Sequence, residues 1–262
     1  MLCPQTPSIM IMTKTKKILF ICLSVIAWLL IWELGAAIVN NVAFFAGVGA
    51  TFKALARLVV TSEFWITVFS SMLRIALGFI IGTIVGVLLA FICHKISFLH
   101  TFFSLGFSVI KSTPVASVIM ILWIFIGSAR VASAIALFMV APIIWQNLLD
   151  GFKAIDKNML EVADVFELSK TKRLRLLVLP TLIRYFVPAS LTAVGLAWKS
   201  GIAAEIITVA KNSIGYHIKN NKDTFDSDYM LAWTLVVVII SVIFESIIKL
   251  LVRRFRGYEP KN

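Results

Sequence analysis

The stretch VFSSMLRIALGFIIGTIVGVLLAFIC, residues 68–93, decides the fold class of this chain. It is a run of mainly apolar side chains with a single charged residue, Arg74. A helix needs roughly 20 mainly apolar residues to cross the hydrocarbon core of a bilayer. The stretch therefore predicts a membrane-spanning helix.

Further apolar runs indicate six spans in all and an all-α membrane protein. The other five runs are residues 18–39, 102–126, 131–149, 182–207 and 230–251. The composition agrees, because 60% hydrophobic against 15% charged residues, with a mean hydropathy of +0.97, excludes a water-soluble enzyme. Pro114 and Pro188 each remove a backbone donor within a run, so we expect both helices to face protein or a cavity.

The first run follows a basic segment and precedes an amphipathic one. Lys14, Lys16 and Lys17 resemble the start of a secretory signal, but the run of residues 18–39 is long enough to span. We therefore expect an uncleaved anchor. Residues 40–67 mix apolar with charged side chains and predict an amphipathic segment at the extracytoplasmic surface.

The distribution of basic residues predicts the orientation. The chain carries 25 Lys and Arg against 13 Asp and Glu, a formal charge of +12. Fifteen basic residues fall on one side of the predicted spans and six on the other. The positive-inside rule then places the tails, residues 1–17 and 252–262, and the loop of residues 150–180 in the cytoplasm. Topology thus explains the basic charge, and no nucleic-acid partner is expected.

The loop of residues 150–180 predicts two short helices. Asp156 is a good cap for the first and Ser169 for the second, and Pro180 is expected to limit the second helix. The first helix places apolar residues on one face, namely Met159, Leu160, Ala163 and Phe166. Such a face suits a groove in another protein, and the alternative is a helix lying on the membrane surface.

The spacing within this loop resembles the EAA loop of permease subunits of bacterial ABC importers. That motif reads Glu-Ala-Ala, three residues, Gly, nine residues, Ile, one residue, Leu-Pro. The corresponding positions in this chain are Glu161, Val162, Ala163, Glu167, Leu177, Leu179 and Pro180. Val162, Glu167 and Leu177 depart from the motif. Because Glu167 replaces the Gly credited with a tight turn, we expect the turn to be made otherwise, with Ser169 as the candidate.

The resemblance extends over residues 60–255. Residues 70–79 resemble the start of the permease core, and Trp198 with residues 201–205 and 214–216 resembles the nitrate, sulfonate and taurine branch. It implies a type I ABC importer permease fold in the bacterial cytoplasmic membrane, with cytoplasmic coupling helices. It also implies two permease copies, two ATPase subunits that bind ATP and Mg, and an extracytoplasmic solute-binding protein. The coupling residues would include Phe166 and Glu167 beside the motif positions, and this chain would hold no cofactor.

Ionisable residues within the predicted spans are candidates for function because charges in lipid are costly. Lys199 and Glu205 fall in one span, on different helical faces. One hypothesis is that Trp198 and Lys199 face the solute path. The alternative is that Glu205 reaches the outer interface and Lys199 bonds carbonyls of a neighbouring span. For Arg74 and Lys111 we favour snorkelling or helix-to-helix bonding over solute contact.

The resemblance favours import of a small anion such as a sulfonate, taurine or nitrate, and three other functions are alternatives to it. A related importer for a heterocyclic vitamin precursor is one alternative. An ion-coupled secondary transporter, with Lys199 and Glu205 as coupling charges, is another. An intramembrane enzyme would need paired carboxylates or a His/Cys cluster, and His94, His100 and His217 lack such partners. The sequence has no Gly-x-x-x-x-Gly-Lys-Ser/Thr motif for binding ATP.

Overall fold

A computed structural model describes residues 14–256 of the chain, and this part is helical, with no strand. The predicted tails fall largely outside it, at residues 1–13 and 257–262. The helices are α1 (Lys14–Val39), α2 (Val48–Val59), α3 (Ser62–Lys95), α4 (Ser97–Ser112), α5 (Val115–Ile126), α6 (Ser128–Lys153), α7 (Lys157–Val165), α8 (Lys170–Arg173), α9 (Leu179–Thr208), α10 (Ile214–Asp223) and α11 (Ser227–Arg256). A π-helical stretch, Leu174–Val178, joins α8 to α9.

Five described segments are long and apolar enough to cross a membrane, and a bent pair could provide a sixth span. The five are Ile18–Val39, Ser62–Lys95, Ser128–Lys153, Lys170–Thr208 and Ser227–Ile247. The predicted run of residues 102–126 forms two helices rather than one, since α4 and α5 are bent by 104° at the break that contains Pro114, and this bent pair is the candidate for the sixth span. Pro188, in contrast, remains inside α9, as predicted.

The centre of the bundle is α6, which packs along α3 on one side and α9 on the other. Gly78, Gly82 and Gly86 form the α3 side of one contact. A Cβ atom added at Gly78 would lie 2.2 Å from the carbonyl oxygen of Ser133, so the two backbones touch. Small residues four apart in a helix permit such a close approach of a second helix.

The N-terminal helix α1 is largely exposed and is held to the rest mainly near its end. The Trp32 indole donates to the carbonyl of Ala46, 3.0 Å away, and the Glu33 carboxylate accepts from the Val48 amide at 2.8 Å. The amphipathic segment predicted over residues 40–67 is shorter than expected, since α3 already begins at Ser62.

Candidate functional site

The two-helix loop after α6 has the caps that its sequence predicts. The Asp156 carboxylate accepts from the amide of Asn158 at 2.8 Å, and the Ser169 hydroxyl accepts from the amide of Lys172 at 3.4 Å. Each side chain satisfies one of the amides that a helix start leaves without a partner. An ion pair between Arg173 and Asp164 also joins α8 to α7. The loop is therefore an ordered structure with short helices at defined positions.

The turn between α7 and α8 is made by Glu167 itself, so the expectation that Ser169 would supply it was wrong. Glu167 adopts a left-handed backbone with φ +50°. The Glu167 amide bonds the carbonyl of Asp164 at 3.0 Å, and the Leu168 amide bonds that of Ala163 at 2.9 Å. These are the bonds of a helix end closed by a left-handed residue, the position that glycine prefers. Glu167 therefore replaces the glycine of the motif, and the chain still makes a left-handed turn at this position.

Replacing Glu167 by glycine should stabilise the loop. A residue other than glycine in the left-handed region costs roughly 1–2 kcal/mol of folding free energy. Glycine avoids this cost, but it also makes the unfolded chain more flexible, which offsets part of the gain. We expect Glu167→Gly to raise the stability of the loop by about 1 kcal/mol, measured as slower proteolysis or hydrogen exchange across α7 and α8. Glu167→Ala removes the carboxylate but keeps the Cβ atom, so equal stabilisation by both variants would contradict the backbone explanation.

The apolar surface of α7 differs from the predicted stripe. Ala163 is 2% exposed and Leu160 is half-buried, so these two face the protein. The exposed apolar side chains are Met159, Val162, Val165 and Phe166, and together we call them the docking face. Val165 and Phe166 are 81% and 73% exposed. The docking face has no cover from the described part of this chain.

The loop runs into the membrane through a continuous helix. Residues Lys170–Thr208 form one 39-residue segment, in which the π-helical stretch ends just before Leu179 and Pro180. Pro180 falls in the first turn of α9, where its missing amide is tolerated, so the prediction that it limits the helix is corrected. Leu177 is half-buried, whereas Leu179 and Pro180 are exposed, as is Glu161 on α7.

A buried polar cluster joins three helices at the other end of the bundle. The Glu205 side chain on α9 is fully buried, and one carboxylate oxygen accepts from the Ser71 hydroxyl at 2.8 Å and the Gly215 amide at 3.3 Å. The other oxygen lies 3.7 Å from an Arg74 guanidinium nitrogen. The Ser71 hydroxyl also accepts from the Ile214 amide at 3.0 Å. The start of α10 is thus fixed to α3 and α9.

This cluster corrects the alternative given for Glu205, whose carboxylate is fully buried and bonded to α3 and α10 rather than exposed at the outer interface. It confirms helix-to-helix bonding for Arg74, whose guanidinium also donates to the carbonyl of Lys211 at 3.2 Å. One feature of the sequence indicates the buried face that carries this cluster. Ser71 and Gly78 are seven residues apart and so share the buried face of α3, with Arg74 at its edge.

Trp198 and Lys199 differ in burial, although they are neighbours in the chain. Trp198 is fully buried, and its indole donates to the Val237 carbonyl on α11 at 3.0 Å. Lys199 is exposed and makes no hydrogen bond or ion pair within the described part of the chain. The hypothesis that both face one path is therefore corrected for Trp198. The alternative, that Lys199 bonds carbonyls of another span, is also not observed.

The helix α10 is further anchored through His217. Its imidazole stacks on the Trp233 ring of α11, with centroids 4.8 Å apart, and lies 3.8 Å from a Glu63 carboxylate oxygen on α3. Burial lowers the pKa of His217, and the charge of Glu63 partly opposes this effect. The neutral imidazole is therefore favoured at neutral pH, so His217 holds α10 more by its stacking on Trp233 than by an ion pair with Glu63.

Long apolar helices around a central α6, with an ordered and uncovered two-helix loop at one end, define a multi-pass helical membrane protein. The chain belongs to the family of binding-protein-dependent transport system inner membrane components, which matches residues 82–257. This confirms the resemblance to importer permeases.

Individual relatives agree with the family assignment. The bicarbonate transport system permease protein CmpB of Synechococcus elongatus is 27% identical over 195 residues, which are 73% of this chain and 66% of that protein. This chain thus spans slightly less than two thirds of that relative. The putative aliphatic sulfonates transport permease protein SsuC of Bacillus subtilis is 21% identical over 241 residues, or 91% and 86% of the two chains.

A solved structure supports the fold. It is described as the crystal structure of an amino acid ABC transporter with histidines, and it matches with a TM-score of 0.62 at 15% identity, covering 76% of this chain and 97% of that chain. With the family match, this similarity establishes the predicted type I ABC importer permease fold.

Proposed function

We propose that this chain is the membrane-spanning subunit of an ATP-driven importer that moves a small anion into a bacterial cell by alternating access. Family membership supports the transport role, and relatives named for bicarbonate and aliphatic sulfonates support an anionic solute. The single observation that carries the coupling mechanism is the uncovered docking face on α7. Apolar side chains that are exposed together at a helix surface are typical of a helix that inserts into a groove of a partner.

The partner for this face is an ATPase subunit that binds ATP and Mg. Two permease copies and two ATPase subunits would form the complex, with the loop and both chain ends in the cytoplasm, as the distribution of basic residues favours. Closure of the ATPases would displace α7 and α8. Because Lys170–Thr208 is one continuous helix, a displacement of α8 would reach the centre of the bundle without crossing a flexible link.

The solute would arrive from an extracytoplasmic binding protein and cross between the two permease copies. We assign Lys199 to the path, because an exposed ammonium that has no partner among the described residues, on a membrane-spanning helix, requires water or a counter-charge. Trp198 and Glu205 take packing roles in this scheme, since both are fully buried and bonded within the protomer. The cation at Lys199 agrees with an anionic solute.

Charging the docking face tests the proposal. Burying one large apolar side chain contributes about 1.5–3 kcal/mol, and a buried aspartate without a partner adds a further cost. We therefore expect Val165→Asp combined with Phe166→Asp to reduce the recovery of co-expressed ATPase at least about tenfold. ATP-dependent anion uptake into vesicles should fall with it, while the permease itself still folds.

A matched control lies at the opposite end of the bundle. Val60, just after α2, is 86% exposed, and Val60→Asp should leave both ATPase recovery and uptake unchanged. Unchanged ATPase recovery in the double variant of α7 would contradict the assignment of the docking face. Failure of the unaltered chain to recover an ATPase from native membranes would contradict the proposed function.

A further inference from the structure

The break between α4 and α5 changes the direction of the chain abruptly. The helix α4 ends at Ser112, and α5 begins at Val115 after Pro114. The two axes differ by 104°, so the chain turns a sharp corner there. Pro114 explains the position of the break, because it has no amide to donate and disfavours a helical residue before it. We call residues 111–117 the corner.

The length of α5 separates the corner from the end of the bundle that holds the polar cluster. The helix α5 has 12 residues, about 18 Å at 1.5 Å per residue, and ends at Ile126, two residues before α6 begins at Ser128. The start of α6 lies beside the buried polar cluster, since the Ser133 hydroxyl donates to the carbonyl of Arg74 at 2.7 Å. Measured along α5, the corner therefore lies about 18 Å from the end of the bundle that holds this cluster, more than half the thickness of a hydrocarbon core of about 30 Å.

Polar groups are exposed at this depth. Lys111, Ser112 and Ser117 are exposed, and Lys111 makes no hydrogen bond or ion pair with any described residue. The Ser112 and Thr113 hydroxyls donate to the carbonyl of Val109 at 3.0 and 2.7 Å. These bonds leave both hydroxyl oxygens able to accept further hydrogen bonds. Lys111 is therefore followed directly in the chain by two residues whose hydroxyl groups can accept hydrogen bonds.

Another face of α4 is apolar and differs sharply from the corner. Its exposed side chains recur at helical spacing and are Phe98, Phe102, Leu105 and Val109. Such a stripe is suited to lipid. The corner is not, because irregular backbone at membrane depth occurs only where protein buries it or where it lines water. A dry contact between two copies related by symmetry would bring the two Lys111 ammonium groups toward each other, which like charges oppose.

We propose that the corner lines the water-filled solute path and that Lys111 is a binding residue for the transported anion. This inference rests on the proposed function and names a part of its path. Lys111 would attract the anion, and the hydroxyl groups beside it would hold water molecules that hydrate the solute. The apolar stripe on the same helix would face lipid.

Thiol labelling tests whether the corner is wet. In a chain whose three cysteines, Cys3, Cys22 and Cys93, are replaced by serine or alanine, Lys111→Cys should react with a membrane-impermeant anionic thiol reagent. The reagent is added to either side of the membrane, with and without ATP. Bicarbonate or a short alkyl sulfonate should slow the reaction at least about threefold. Leu105→Cys, on the lipid-facing stripe and 67% exposed, is the matched control and should react at least about tenfold more slowly.

Charge substitutions test the role of Lys111. We expect Lys111→Gln to lower anion uptake at least about tenfold, while Lys111→Arg retains most of it, with ATPase recovery unchanged in both. Equal labelling at positions 105 and 111, absence of labelling at 111, or normal uptake by Lys111→Gln would overturn the inference. Any of these results could occur in a complex that still binds its ATPase and imports anions. If the unaltered chain recovers no ATPase, that result counts against the proposed function. It does not count against the wet corner, because thiol labelling at position 111 does not require a bound ATPase.

Discussion

Replacing Glu205 by leucine is expected to lower the free energy of unfolding by about 3 kcal/mol, because removal of one partner from a buried ion pair leaves the other groups unsatisfied. The variant would leave the Ser71 hydroxyl, the Gly215 amide and the Arg74 guanidinium without their shared acceptor. The start of α10 should loosen first. Thermal unfolding in detergent measures the loss, and protease cleavage near residue 212 reports the local opening.

A double-mutant cycle separates the ion pair from the hydrogen bonds. Glu205→Gln keeps an acceptor for Ser71 and Gly215, so it should cost less than Glu205→Leu. Arg74→Leu combined with Glu205→Leu should cost less than the sum of the two single variants, by roughly 1–3 kcal/mol. Strict additivity would show that Arg74 and Glu205 do not interact, despite the 3.7 Å that separates their charged atoms.

Replacing Gly78 by alanine is expected to force α3 away from α6. The new Cβ atom would lie 2.2 Å from the Ser133 carbonyl oxygen and 2.7 Å from the Cβ atom of Ala136. The first of these is a backbone atom that no side-chain rotation can move. Overpacking of this kind typically costs 1–3 kcal/mol, so we expect about 2–3 kcal/mol. Unfolding in detergent, with crosslinking between α3 and α6, measures the effect.

Gly106 provides the control for that experiment. It lies within α4, and a Cβ atom added there would meet nothing within 4 Å. Gly106→Ala should therefore be neutral or stabilising by up to about 1 kcal/mol, because alanine favours a helix over glycine. A loss of stability in Gly106→Ala as large as that in Gly78→Ala would show that the cause is not the contact between α3 and α6.

The fold class and most span positions could be predicted from the sequence, because bilayer thickness sets a minimum length for an apolar run. Five of the six predicted runs lie within continuous apolar helices. The run of residues 102–126 contains two helices, α4 and α5, instead of one continuous helix. Hydropathy averages over a window and does not register a bend, although Pro114 marked the place at which one occurred.

The loop was predictable in part. Its two caps depend on residues within three positions of each other, so Asp156 and Ser169 could be identified from the sequence alone. The left-handed backbone of Glu167 could not be predicted in this way. A glutamate disfavours that conformation, which the ends of the two flanking helices impose. The sequence predicted Ala163 and Phe166 on one apolar face. That Ala163 is buried and Phe166 is exposed depends on how α7 packs, so only the structure could show it.

What the sequence by itself determined is therefore local: the apolar lengths, the helix caps and the motif spacing that places the chain in its family. What only the tertiary structure decided is which distant residues meet. Glu205 contacts Ser71 and Arg74, more than 130 positions earlier in the chain, because α9 approaches α3 closely at Gly201, where an added Cβ atom would lie 2.6 Å from the Ile75 side chain. A helical period fixes the face on which a residue lies, but the partner of that face depends on how the helices assemble.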